Sequence, residues 1–227
     1  VRLLSPVANP GKVMGAPVNY QKHLAEVTSD ANLHHQNIAH MQAIHQSGFF
    51  LMATSSVIGP SQEIVIRHPD RRTDHEVELA VVIGQPARNV AAKDALRFIA
   101  GYCIGLDITV RGPEERSLRK SIDTYTVLGP WLVTADEIPD PSNLDLSITV
   151  NGEMRQKANT RDMILGVPEL IGRARPIGAR LGRLGQVERE SHDAQIRNRR
   201  LQLQRVGKQR LEARHAGHAD ARRLDRV

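Results

Sequence analysis

The sequence predicts a strand-rich α+β fold. From Phe49 onward, short apolar runs alternate with turn residues at strand-like intervals, an Asn-Gly pair at 151–152 marks a tight hairpin, and no βαβ repeat is evident. With 227 residues, 40% of them hydrophobic, the chain is long enough to bury a sizeable core.

The elements follow in chain order. Residues 1–18 read as an extended lead-in punctuated by Pro and Gly. NYQKHLAEV fits a short helix or turn with Asn19 in the capping position, and Asp30 stands where it could cap a helix that aligns Ile38, Met41 and His45 on one face. FFLMATSS, VIGP, EIVIRHP and the alternating run HEVELAVVIG then read as strands. AAKDALRFIA has helical spacing at Ala95, Phe98 and Ile99, and GYCIGLDITV is again a strand. A charged segment, RGPEERSLRKS, leads into the strand TVLGPWLVT, the turn DEIPDPSN and the strand LDLSITVNGE, which the Asn-Gly turn pairs with EMRQKANT.

Charge is distributed unevenly. Residues 172–227 hold 14 of the 25 arginines and one lysine against six acidic residues, net +9, whereas the preceding 171 residues carry 16 basic and 19 acidic side chains. The sequence pI of 9.9 therefore belongs to the tail. That tail has no Phe, Tyr, Trp, Met, Thr or Cys. Three readings compete for it: a disordered basic arm, an Arg-rich helix over 196–214, or an out-of-frame translation of a GC-rich gene. Without aromatic residues for base stacking it argues against a nucleic-acid partner. The expected organisation is a catalytic body at 1–171 and a separate tail at 172–227.

The single cysteine, Cys103, excludes an internal disulfide and a multi-cysteine zinc site and points to a reducing compartment, the cytoplasm being the expectation. No run of about 18 apolar residues is present, so no membrane partner is expected. The first residue is Val1, which fits a fragment, a processed product or an unusual start codon.

Chemistry concentrates on a few side chains. Glu76 and Glu78 lie two apart on a strand, so they leave one face with Cα atoms about 7 Å apart, while Val77, Leu79, Val81 and Ile83 form an apolar opposite face. The pair fits either a solvated strand end or a hard divalent cation, Mg²⁺ or Mn²⁺. Asp107 sits in an apolar strand, where an ionised carboxylate needs a partner. A third place on that ion would supply one, as would a turn or a backbone hydrogen bond. His23 and Glu26 are three apart, neighbours on a helical turn, which fits either a surface pair or a carboxylate orienting an imidazole. Lys120, with Asp123 nearby, is either solvated or placed to stabilise an enolate. His34, His35, His40 and His45 lack the three- or four-residue spacing that converges metal ligands on a helix and read as solvated. Cys103 reads as a small packed hydrophobe.

In order, PGKVMGAPVNYQKHLAE, FFLMATSSVIGP, DHEVELAVVIG, AGYCIGLDITVRG, RKSIDTYTVLGPWLVTADEIPDP and LSITVNGEMRQKANTRDMI resemble the fumarylacetoacetate hydrolase family over about residues 10–171. The resemblance implies a mixed β-roll, usually dimeric. It also implies a divalent cation held by Glu76, Glu78 and Asp107, a general acid/base dyad at His23 and Glu26, and Lys120 beside the substrate oxyanion. The implied substrates are small 2-oxo or diketo acids, turned over by C–C hydrolysis, decarboxylation or isomerisation in aromatic catabolism. The segment from Arg111 to Glu137 looks closest to bacterial members acting on hydroxymuconate-type intermediates.

Two positions depart from the family pattern. Met52 stands where many members carry lysine. After Ile171 the family's Pro-Gly-Asp turn, next strand and Gly-Thr-Pro loop are not recognisable, which predicts weak or absent turnover by the chain as written. Against the metal-dependent enzyme stand a catalytically silent dimeric scaffold of the same fold and a nucleic-acid binder acting through the tail.

Overall fold

The structure, a computed structural model, describes residues 2–30, 33 and 42–174. Its fold is strand-rich α+β, as the alternation of apolar and turn residues predicts. At its centre lies a four-stranded sheet of β3 (Val57–Ile58), β6 (Thr126–Thr134), β5 (Ile99–Val110) and β4 (Thr73–Ile83), in that order. β3 runs parallel to β6, and the remaining pairs are antiparallel. A second pair, β1 (Val13–Gly15) with β2 (Phe50–Met52), is antiparallel, as is the hairpin of β7 (Asp145–Val150) with β8 (Glu153–Asn159).

The alternation of β4 divides the central sheet into an apolar face and a charged one. Val77 on β4 and Leu106, Ile108 and Val110 on β5 bury against Ile58, Tyr125, Val127 and the hairpin residues Leu146 and Ile148. A second cluster of Ile99, Tyr102, Ile138 and Val167 takes in the far end of β4 at Leu79, Val81 and Ile83. The opposite face of β4 carries Asp74, Glu76 and Glu78, because successive strand side chains point to opposite sides. The hairpin is pinned to β4 by Gln156, whose Oε1 accepts from the Val77 N–H at 2.8 Å while its Nε2 donates to the Val77 carbonyl at 3.3 Å. Val77 thus spends both backbone groups away from β5. Its neighbours Glu76 and Glu78 therefore face β5 as hydrogen-bonded pairs, with Glu76 opposite Asp107 and Glu78 opposite Gly105.

The hairpin turn forms where Asn-Gly predicts it, with positive φ at both Asn151 and Gly152. Three expectations are corrected. AAKDALRFIA forms a 3-10 turn at Ala92–Phe98 and then enters β5 at Ile99; a repeat of three suits Ala92, Ala95 and Phe98, and Ala95 is fully buried. EIVIRHP forms no strand: Ile64 packs on the core, while the Val65 N–H is taken by the Thr124 hydroxyl rather than by a neighbouring strand. Asn19 does not cap. Tyr20 holds the position before helix α1 (Gln21–Ser29), and the buried Asn19 amide bridges to the Leu165 N–H and carbonyl at 2.9 Å each. The charged segment after β5 contains a short helix, α3 (Arg116–Lys120), which follows α2 (Ile44–Ser47) in chain order and buries Arg119 and Lys120.

The last described helix, α4 (Val167–Arg173), crosses the boundary expected at 171/172 and packs Val167 and Ile171 into the second cluster. Most of the helix expected from Asp30 past Met41 to His45, and the tail from residue 175, lie outside the described residues. That helix does not reach His45: Ala43 is extended at ψ 161° and α2 starts afresh at Ile44, while Asp30 closes α1. Among the described residues no helix is long and apolar enough to cross a membrane.

Candidate active site

The pairing of β4 with β5 sets the site. Strand register brings Glu76 beside Asp107, and α3 delivers Lys120 between them. Lys120 Nζ donates to Glu76 Oε2, Asp107 Oδ2 and Thr109 Oγ1, each at 2.6 Å. Glu76 Oε1 accepts from the Arg111 guanidinium at 2.7 Å, and the same guanidinium donates to Asp74 Oδ2 at 2.7 Å. Asp74 Oδ1 accepts from Arg72 at 2.8 Å. Acidic and basic groups therefore alternate along one largely buried chain that begins at the partly exposed Arg72 and ends at Asp107, which is how this much charge is tolerated away from water.

Within that chain one atom is left over. Asp107 Oδ1 is buried and has no hydrogen-bond partner. A buried carboxylate oxygen with no donor is costly, and a cation is the partner that suits a group with no proton to give. Glu78 stands apart from the ion pairs. Its side chain is exposed on the cleft side, and Gly105 opposite leaves it room, since a Cβ there would stand 3.8 Å from the Glu78 Cβ. As they stand, no three His, Cys, Asp or Glu side chains among the described residues close round a common point. Glu76 and Asp107 share one, and Lys120 stands at it.

The electrostatics follow from this arrangement. Burial pushes Asp107 up to about 6 despite the Lys120 charge beside it. For Glu76 burial acts in the same upward sense, but Lys120 and Arg111 outweigh it and hold the carboxyl well below the usual range. For Glu78 loss of solvation in the cleft, and then the charges of Glu76 and Asp107, push the carboxyl up to about 8, with Lys120 opposing them only in part. Water still reaches Glu78, so its accessible surface and its crowded surroundings describe a carboxyl at the rim of the cleft floor.

The cleft has a volume of about 530 Å³ and runs from these carboxylates past Phe50 and α1 to the apolar end of β4. His23 and Glu26 line it from α1. His23 Nδ1 lies 3.7 Å from Glu26 Oε2, close enough for an ion pair and too long for a direct hydrogen bond. Burial in the cleft lowers the His23 pKa, the charge of Glu76 partly opposing it, so the imidazole is favoured in its neutral form. The Asn19 bridge to Leu165 fixes the start of α1 against the segment just before α4.

Of the residues singled out from sequence, the structure gathers Glu76, Asp107 and Lys120 in direct contact and places Glu78, His23 and Glu26 on the walls of the same cleft. Cys103 is a packed hydrophobe, its thiol pushed up to about 12 by burial. Met52 is buried on the cleft wall. His34, His35 and His40 lie outside the described residues. Arg111, Thr109 and Asp74 were not foreseen. The signal for them was strand alternation: Thr109 and Arg111 continue the face of Asp107, and Asp74 continues the face of Glu76.

An acidic β-sheet floor, a buried lysine and a helical His-Glu pair facing one cleft define an enzyme-like site of acid, base and cation chemistry. The chain belongs to the fumarylacetoacetate hydrolase family: the pattern described as fumarylacetoacetate (FAA) hydrolase C-terminal matches residues 12–176. It is 59% identical over 171 residues to maleylpyruvate hydrolase of Aquipseudomonas alcaligenes, covering 75% of this chain and 60% of that protein. A crystal structure of maleylpyruvate hydrolase from Sphingobium sp. SYK-6, in complex with manganese(II) ion and pyruvate, aligns with a TM-score of 0.62 at 38% identity, over 77% of this chain and 57% of that one. The 5-carboxymethyl-2-hydroxymuconate delta-isomerase of Mycobacterium smegmatis aligns with a TM-score of 0.61 at 33% identity, over 76% and 64%. The chain thus spans about 60% of the length of the maleylpyruvate hydrolase it most resembles among these.

Proposed function

We propose that the chain is a divalent-metal-dependent enzyme acting on small 2-oxo or diketo acids, with Mg²⁺ or Mn²⁺ held by Glu76, Glu78 and Asp107. The observation that carries this reading is the buried, unpartnered Asp107 Oδ1 beside Glu76, in a cleft that also presents Lys120 and His23. An all-oxygen donor set suits a hard divalent cation. The manganese and pyruvate named for the Sphingobium relative support the same chemistry.

When bound, the ion would supply Lewis acidity to a chelated 2-oxo acid. The remaining work falls to this chain's own side chains. Lys120 would donate to the substrate oxygen that gathers negative charge. His23, held neutral by its surroundings, would accept a proton at a ring nitrogen from the carbon acid or from water, and Glu26 would orient it and balance the imidazolium. The apolar stretch of the cleft around Leu79–Ile83 would seat the substrate's carbon chain and limit water. A homodimer in the cytoplasm is the proposed working form, on the family resemblance.

The test is a thermal melt of the purified chain with and without Mn²⁺. We expect the ion to raise the melting temperature and Glu76→Gln or Glu78→Gln to abolish the rise. A melt indifferent to Mn²⁺, or an undiminished rise in both variants, would overturn the reading.

A further inference from the structure

Lys120 has no proton to spare. Its ammonium carries three, and each has its own acceptor at 2.6 Å, in Glu76, Asp107 and Thr109. The oxygens it holds on Glu76 and Asp107 are those through which one ion could reach both carboxylates. An ion bound to them at about 2.1 Å would stand a few ångström from the ammonium, three positive charges crowded together in low dielectric. The free Asp107 Oδ1 can give the ion one ligand, as proposed above, but an ion shared with Glu76 still meets Lys120, because Glu76 Oε1 is committed to Arg111 and Glu76 Oε2 to Lys120.

The ammonium does have somewhere to go. The Phe50 ring lies with its centroid 5.5 Å from Nζ, within cation-π range, and Phe50 lines the cleft. Movement in that direction keeps the charge against an electron-rich face and brings it toward the space a substrate would use.

We propose that Lys120 and a divalent ion compete for Glu76 and Asp107, and that ion entry drives the ammonium along Phe50 into the cleft, where it meets the substrate anion. In this arrangement one side chain does two jobs in turn. It neutralises the acidic pair before the ion arrives and becomes the substrate's cation afterwards, so ion binding precedes productive substrate binding. The inference rests on the ion site proposed above and adds an order of events to it.

The experiment compares Mn²⁺ affinity, by isothermal calorimetry without substrate, in the unaltered chain and in Lys120→Met. Removing the competitor should tighten Mn²⁺ binding by about tenfold or more, the scale expected for one buried charge contact. Equal or weaker binding in Lys120→Met overturns the competition while leaving the ion site standing. No binding in either protein overturns both. Because Lys120→Met leaves Asp107 without its cation and Glu76 with Arg111 alone, and can fail to fold, a second measurement uses the unaltered chain. Lys120 is labelled with trinitrobenzenesulfonate and the modified peptide is quantified by mass spectrometry. Mn²⁺ should raise the labelling rate at Lys120 several-fold as the amine moves into the cleft, and a rate that stays flat or falls overturns the proposal.

Discussion

Arg111 is the residue on which the acidic floor depends. Its side chain is 9% exposed and holds Asp74 and Glu76 together, themselves 6% and 17% exposed. Arg111→Met would leave both carboxylates without their shared cation, and breaking a buried pair from one side costs about 3–5 kcal/mol. We expect a loss of that size in urea denaturation, whereas a loss under about 1 kcal/mol would show that water or Arg72 compensates. Cys103 offers a check on burial that is independent of the site. Burial pushes its thiol up to about 12, so in the folded chain it stays protonated at pH 9, where an unfolded cysteine is largely thiolate. Iodoacetamide at pH 9 should therefore label native Cys103 slowly and urea-unfolded Cys103 rapidly. The sign for stability follows: the unfolded chain releases this proton first as pH rises, so this residue's contribution is flat below about pH 8 and declines above it. At this scale Glu76, Glu78 and Asp107 were legible because carboxylates stand out against apolar strands. Arg111 was not, because an arginine at a strand end looks solvated until the register supplies its two acids.

At the scale of elements, legibility followed the length of each pattern. The eleven residues of β4 and the Asn-Gly hairpin carry a period of two long enough, or a turn specific enough, to be read directly. The short pieces went otherwise. α3 is five residues dense in charge; its Lys120 is received by Glu76 and Asp107 on β4 and β5, partners that no local pattern shows, while Arg119 donates to the nearby Glu114 carbonyl. EIVIRHP alternates like a strand yet pairs with no strand, its Val65 N–H satisfied by a side chain instead. The same economy joins the hairpin to the sheet. Gln156 supplies a donor and an acceptor to Val77, substituting one side chain for a strand partner. Gln156→Leu keeps the volume and removes both bonds, leaving a buried amide and carbonyl unpaired, which costs about 1–3 kcal/mol for each such group. We expect a drop in the urea midpoint and faster amide exchange at Val77, and unchanged exchange there would mean the bridge does not hold the strand.

Across the whole molecule, the site depends on apolar packing behind it rather than on its own ion pairs. Leu79 touches both larger clusters, and Ile83 and Ile171 connect the second to the third, formed by Ala87, Val90 and Ala95. β4 is thus the member common to every cluster, with the acidic residues on its other face. A chain so connected should lose its core and its cleft together. Leu106, 4% exposed at the centre of the first cluster, gives a direct test, since a leucine-to-alanine truncation in a core costs about 2–5 kcal/mol and the neighbours collapse only partly. Trp131, the one tryptophan, sits on β6 with 46% of its surface exposed and reports on the sheet, while far-UV circular dichroism reports on the whole. In urea the two signals should trace one transition in the unaltered chain and should shift together to lower urea in Leu106→Ala. If tryptophan fluorescence changes first, the end of β6 beyond its pairing with β3 opens before the rest, and the carboxylate floor would then be held by β4 and β5 alone.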